Sequence, residues 1–209
     1  RIHNVRPVRH WLSIAAGMLM LLSSVPGIAG QATDELKQAV DRILVILNDP
    51  TLKGTDKTKE RRQQVKEIIF SRFDFSEMAK RSLGAHWQKR SVEEQKEFVQ
   101  LFTSLLEDAY LDTIESYKGE KVRFVNERQQ EDFAEVNTKV INNKGEEFAL
   151  DYRLRDANGD WKVFDVLIEN VSVVNNYRAQ FNRVLVKSSY AELVEIMRQK
   201  KLTAPGAKG

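Results

Sequence analysis

Cysteine is absent from the 209 residues, which removes disulfides, thiol nucleophiles and thiolate metal sites together. An exported chain with a large enough core folds without such bridges. Histidine is scarce: of three, His3 and His10 fall in the first 32 residues, so the rest of the chain has only His86. A histidine-rich metal site is thereby excluded, and a Ser-His-Asp triad could draw only on His86. Neither the GxxxxGK[ST] nor the GxGxxG phosphate-cradling pattern occurs. Proline numbers four, and only Pro50 lies between Pro26 and Pro205, so long helices and strands there run without that interruption. The main uncharged apolar run, Trp11 to Leu22, is twelve residues, short of the ~20 that span a bilayer.

That run is preceded by Arg1, Arg6 and Arg9 and followed by Ser23-Ser24-Val25-Pro26-Gly27 and small residues through Ala29 and Ala32. A basic start, a short apolar stretch and a small-residue exit form a secretory signal peptide, with cleavage expected after Ala29 or Ala32. Residues 1–32 are therefore read as a cleaved leader, 33–202 as one domain and 203–209 as a flexible tail. The whole chain carries +3 with a pI near 9.0, but without the leader's three arginines 30 basic and 30 acidic residues remain. No basic field is left to attract a phosphate backbone, which argues against nucleic acid as a partner.

Downstream, Thr33 is placed to cap a helix whose Leu36, Val40, Ile43, Leu44 and Leu47 recur on one face. A second helix turns Val65, Ile68 and Ile69 inward, and "DFSEMAKRSLG" makes a short third, capped by Asp74 and stopped by Gly84. Ser91 and Glu94 form a capping box for the longest helix, with its stripe Phe98, Leu101, Phe102, Leu105, Leu106, Ala109, Tyr110, Ile114 and Tyr117. From Val122 the period drops to two. Four strands follow, around Val122–Phe124, Ala134–Val140, Phe148–Leu154 and Trp161–Ile168, joined by "NNKG" and Asn158-Gly159 turns. Ser189 and Glu192 cap a last helix. Helices and a one-sided antiparallel sheet predict an α+β domain with a small four-stranded sheet covered on one side by helices.

Few residues invite chemistry. Asp165, between Phe164 and Val166 in an apolar strand, is a candidate general base with its charge disfavoured by burial, or a structural carboxylate paired with Arg178. His86 beside Trp87 has no serine, cysteine or carboxylate cluster pointing to it and reads as structural. Trp87, Trp161, Tyr110 and Tyr152 can line a ligand site or fill a core. By the period-two rule Phe148, Leu150 and Tyr152 share one strand face, and Phe164, Val166 and Ile168 share one on the neighbouring strand. Phe102, Leu106 and Tyr110 share the long helix's stripe. Such large apolar groups can frame a hollow as readily as fill it.

Three segments, "FDFSEMAKRSLGAHW", "SVEEQKEFVQLFTSLLEDAY" and "WKVFDVLIENVSVVNNYRAQF", together resemble the MlaC family, also called toluene-tolerance proteins, the periplasmic phospholipid-binding component of an ABC-type lipid transport system. The resemblance extends from about Ala32 to Lys200. It departs at Asn170, where the family usually has glycine, although asparagine also tolerates positive φ. The resemblance implies a periplasmic shuttle with no cofactor and no catalytic activity. Its fold would be cystatin- or NTF2-like, with acyl chains in an apolar cavity between sheet and helices. Its implied partners are a phospholipid, an outer-membrane lipoprotein–porin complex and an inner-membrane ABC transporter bearing an MCE-domain protein, and its implied task is to maintain outer-membrane lipid asymmetry. On this basis Phe102, Leu106, Tyr110, Phe148, Leu150, Tyr152, Phe164, Val166, Ile168 and Val171 are expected to touch acyl chains. In the family motif "NNYR", Asn175 and Asn176 suit helix entry, and Tyr177 and Arg178 fix that helix on the sheet, Arg178 pairing Asp165 or reaching a headgroup phosphate. Three rivals remain: an enzyme on the same cone with Asp165 as base, a carrier of a sterol-like lipid such as a hopanoid, and an adaptor with a packed core.

Overall fold

The structure, a computed structural model, describes residues 30–206. Most of the expected leader, residues 1–29, and the end of the expected tail, residues 207–209, lie outside the described residues. Four helices come first: α1 (Gln31–Asn48), α2 (Thr58–Arg72), α3 (Phe75–Leu83) and α4 (Val92–Glu115). The strands β1 (Lys121–Gln130), β2 (Phe133–Ile141), β3 (Glu147–Asp156), β4 (Trp161–Ile168) and β5 (Val171–Ser172) follow, then α5 (Val173–Lys187) and α6 (Tyr190–Arg198). The sheet is antiparallel with its strands in chain order, as consecutive short turns require.

It has five strands, not four. Glu169 (φ 47°) and Asn170 (φ 65°) both sit in the left-handed region, so the chain doubles back in two residues and Val171 pairs with Ile168. Asparagine at 170 thus serves where a glycine would be the default.

Side-chain caps set most helix starts. Ser91 and Glu94 close a full capping box on α4, at 3.1 and 2.9 Å. Asp74 accepts the Glu77 amide at 2.9 Å to start α3 and binds Arg155 on β3 with its other oxygen. Gly84, at φ +58°, ends that helix. Ser189 caps α6.

Two caps differ from expectation. Thr33 does not cap α1: the helix begins at Gln31, and the Thr33 amide donates to Glu127 of β1 at 2.8 Å, so the cap comes from the sheet. Nor do Asn175 and Asn176 open α5. Ser172 caps it, accepting the Asn175 amide at 3.0 Å, because Val173 and Val174 are buried as helix and do not continue the strand.

Two apolar clusters form. One joins α3, α4, α5 and α6 around Phe98, Phe102, Tyr177 and Phe181; the other packs Ala32 and Leu36 of α1 onto Val136, Leu154, Trp161 and Val163 of the sheet. The segment after α6 is fastened as far as Gly206, although a loose tail was expected from residue 203. Thr203 exchanges two hydrogen bonds with Gln180, at 2.7 and 3.0 Å, and the Tyr110 hydroxyl donates to the Pro205 carbonyl at 2.9 Å. Among the described residues no helix is long and apolar enough to cross a membrane.

Candidate functional site

The site is built on an irregularity in β4. Its register against β3 pairs Tyr152 with Val166 and Arg153 with Asp165, then jumps so that Leu154 faces Val163. Phe164 is the extra residue of a β-bulge, and the bulge reverses the alternation. Trp161 and Val163 therefore share the inner face with Val166 and Ile168. Phe164 turns away, with the Arg81 guanidinium over its ring at 4.2 Å and Phe133 edge-on at 5.8 Å.

Above that inner face lies a cavity of about 700 Å³. Leu36, Val40, Ile43, Leu44 and Leu47 of α1 form one wall, and Ile69 and Phe70 of α2 adjoin it. Leu106, Tyr110, Ile114 and Tyr117, the C-terminal half of the α4 stripe, form a second wall. Phe148, Leu150, Tyr152, Val166 and Ile168 make the sheet side, and Gly206 stands at one end. The cavity is lined from both clusters, by Met78 and Leu106 of the first and by Leu36 and Tyr152 of the second. Of the charged groups in the lining, Lys66 pairs with Glu107 at 3.0 Å and Arg72 is held by Glu35 and Asp160 at 2.6 and 2.9 Å, whereas Glu120 and Glu169 accept the backbone amides of Lys118 and Ala149 and have no ion pair among the described residues.

Two of the phenols in the wall, Tyr110 and Tyr152, are held in the protonated form. Burial pushes Tyr110 and Tyr152 well above the usual tyrosine range, so both stay neutral at ordinary pH. Tyr110 spends its hydrogen on Pro205. The interior can thus exclude water from an apolar guest and offers that guest little polar chemistry.

Of the residues expected to touch acyl chains, Leu106, Tyr110, Phe148, Leu150, Tyr152, Val166 and Ile168 line the cavity. The other three do not. Phe102 is fully buried among Phe98, Tyr177 and Phe181, one turn too early on α4. Phe164 is turned out by the bulge. Val171 is 46% exposed on the short β5.

The expected pair of Asp165 and Arg178 does not form. Asp165 is 3% exposed and takes the Ser172 hydroxyl at 2.6 Å, the Val166 and Val174 amides at 2.9 and 3.1 Å, and Arg153 across the ladder at 3.4 Å. It holds the first turn of α5, whereas Arg178 lies one turn further along that helix, exposed beside Gly84, where a Cβ would stand 2.9 Å from its Nε. Among the described residues Arg178 has no ion pair, and neither it nor Asp165 lines the cavity. Tyr177 is core: its ring meets Phe102 edge-on at 5.6 Å, its hydroxyl has no hydrogen-bond partner among the described residues, and burial pushes its pKa up to about 12. Among the described residues the one side-chain hydrogen bond of His86 is with Asn182, at 3.2 Å. Trp161 fills core, not cavity.

Sequence reasoning missed the wall from α1 and α2. Their apolar stripes were visible, but a stripe facing a cavity and one facing a packed neighbour have the same period.

The family model described as "MlaC protein" matches residues 37–199. An intermembrane phospholipid transport system binding protein MlaC from Haemophilus influenzae is 25% identical over 122 residues, 56% of this chain and 57% of that protein. The match thus spans little more than half the length of that curated relative. A phospholipid-binding protein from Ralstonia solanacearum, solved in complex with a phospholipid, is 30% identical and superposes with a TM-score of 0.72 over 82% of this chain and 97% of its own. With a family model matched across most of its length and the fold of a phospholipid-bound protein, this chain belongs to the MlaC family.

Proposed function

We propose that the protein is a phospholipid carrier that holds acyl chains in the cavity between α1, α4 and the sheet. The observation that carries this reading is the cavity itself, about 700 Å³ walled by aliphatic and aromatic groups. That is a ligand-sized hollow on the scale of known pockets, roughly 300–1,000 Å³. Taking a methylene as about the size of a water molecule, near 30 Å³, it accepts on the order of 20 methylenes. At about 0.8 kcal/mol each, those methylenes gain on the order of 16 kcal/mol by leaving water. Two exposed acyl chains carry a comparable penalty, so free lipid crosses an aqueous compartment negligibly and a dry carrier removes the barrier without nucleotide or cofactor. Apolar contact is non-directional, so discrimination between chains differing by one methylene is weak.

In this reading the leader directs the protein to the periplasm. There it moves phospholipid between an outer-membrane lipoprotein–porin complex and an inner-membrane ABC transporter bearing an MCE-domain protein, supporting outer-membrane lipid asymmetry. The family and its phospholipid-bound structural relative support the binding step. No enzymatic step is needed, since Asp165 is spent on holding α5. Native mass spectrometry of protein purified from its host tests the reading: copurified phospholipid is expected, and protein recovered free of any lipid would overturn it.

A further inference from the structure

Glu127 of β1 carries a partly buried carboxylate with no cationic partner among the described residues. One oxygen accepts the Thr33 amide in the first turn of α1, at 2.8 Å. The other lies against Gly30, so close that a Cβ on Gly30 would fall inside the carboxylate. The Gly30 nitrogen is two bonds from that position. A carboxylate so placed neutralises the positive end of α1, but a buried charge is normally completed by a full counter-charge.

The sequence offers two places to cut the leader, after Ala29 or after Ala32. Ala32 is 0% exposed inside α1, and it packs with Leu36 on Ala134 and Trp161 of the sheet; Gly30 is the helix N-cap. Cutting after Ala32 would discard a buried residue and the cap. Cutting after Ala29 keeps both and turns the Gly30 nitrogen into an ammonium. We propose that the amino group released at Gly30 by cleavage after Ala29 is the missing cation of Glu127, and that this ion pair pins the N-terminal end of α1 to β1. Glycine at position 30 then has a reason beyond leader processing, since a side chain there would displace the carboxylate. Because α1 is a wall of the cavity, maturation of the chain also completes the anchoring of that wall. The inference rests on the export reading given above.

The test uses protein secreted by its host and a second form in which Ile28 and Ala29 are retained, each with and without Glu127→Gln. Intact mass should begin at Gly30 for the secreted form. Its Tm should exceed that of the extended form by about 2–4 °C. Glu127→Gln should remove that difference by lowering the secreted form more than the extended one, which loses only the carboxylate's hold on the helix end. Gly30→Ala, which pushes the carboxylate aside, should lower the secreted form to a similar degree. A mass beginning at Thr33 overturns the proposal, as does a gap that persists in the Glu127→Gln background or is absent from the parent pair. Lipid extracted from the same samples reports on the carrier reading separately, so the two can fail independently.

Discussion

The Asp165 carboxylate accepts the Ser172 hydroxyl at 2.6 Å across the turn between β4 and β5, and Ser172 in turn caps α5. One carboxylate thus ties the end of the sheet to the start of a helix. Asp165→Ala should leave the Ser172 hydroxyl and the Val174 amide without this acceptor, at about 1–3 kcal/mol each. Arg178→Ala, on an exposed side chain without an ion pair among the described residues, should change stability by no more than about 0.5 kcal/mol. Urea unfolding of both variants checks this. Equal losses would restore Arg178 as the structural partner.

Asp74 works in the same way two residues further along β3, at Arg155. It caps α3 with one oxygen and binds Arg155 with the other, at 3.0 Å to Nε and 2.5 Å to Nη2. Asp74→Ala should cost about 2 kcal/mol or more, the cap plus a charge-assisted bond. Asp74→Asn keeps a capping oxygen and should fall between it and the parent in the same unfolding assay.

Much of this was legible beforehand, and the failures have physical causes. The α4 stripe with its capping box was readable because five turns of period 3.6 leave no competing pattern. The β4 bulge was not: "WKVFDVLI" is apolar on both faces, so nothing in it marks Phe164 as the residue that breaks alternation. Val173 and Val174 have strand propensity, and burial against the helices overrides it. Arg153 escaped notice as the partner of Asp165 because their adjacency depends on register, and register depends on that same bulge. Cavity and core were indistinguishable because both ask only for apolar residues on one face.

Buried phenols are expected to lower stability at alkaline pH. Burial pushes Tyr177 and Tyr190 up to about 12, and Tyr110 and Tyr152 higher, against about 10 in the unfolded chain. These groups are neutral when protonated, so their contribution is complete below pH ~10 and is lost as pH rises through the folded values. Melting temperature should therefore decline between pH ~10 and 12 as the tyrosines begin to ionise. Tyr177→Phe also removes a buried hydroxyl without a partner, so it should be neutral to stabilising by up to about 1 kcal/mol near neutral pH. The same variant should decline less steeply above pH ~10. A marked loss of stability at neutral pH would mean that the hydroxyl has a partner.

Lipid quantification paired with a melting curve on Val166→Trp tests the carrier account most directly. Val166 lines the cavity from β4, while Val171 is exposed and serves as a control with the same substitution. In a filled core an added indole overpacks and costs roughly 1–3 kcal/mol. In a lipid-filled cavity it takes the place of part of an acyl chain. The account predicts that phospholipid extracted per mole of protein falls sharply in Val166→Trp while a cooperative melt persists, and that Val171→Trp matches the parent in both. A parent protein that yields no lipid, with Val166→Trp merely unfolding, would contradict it.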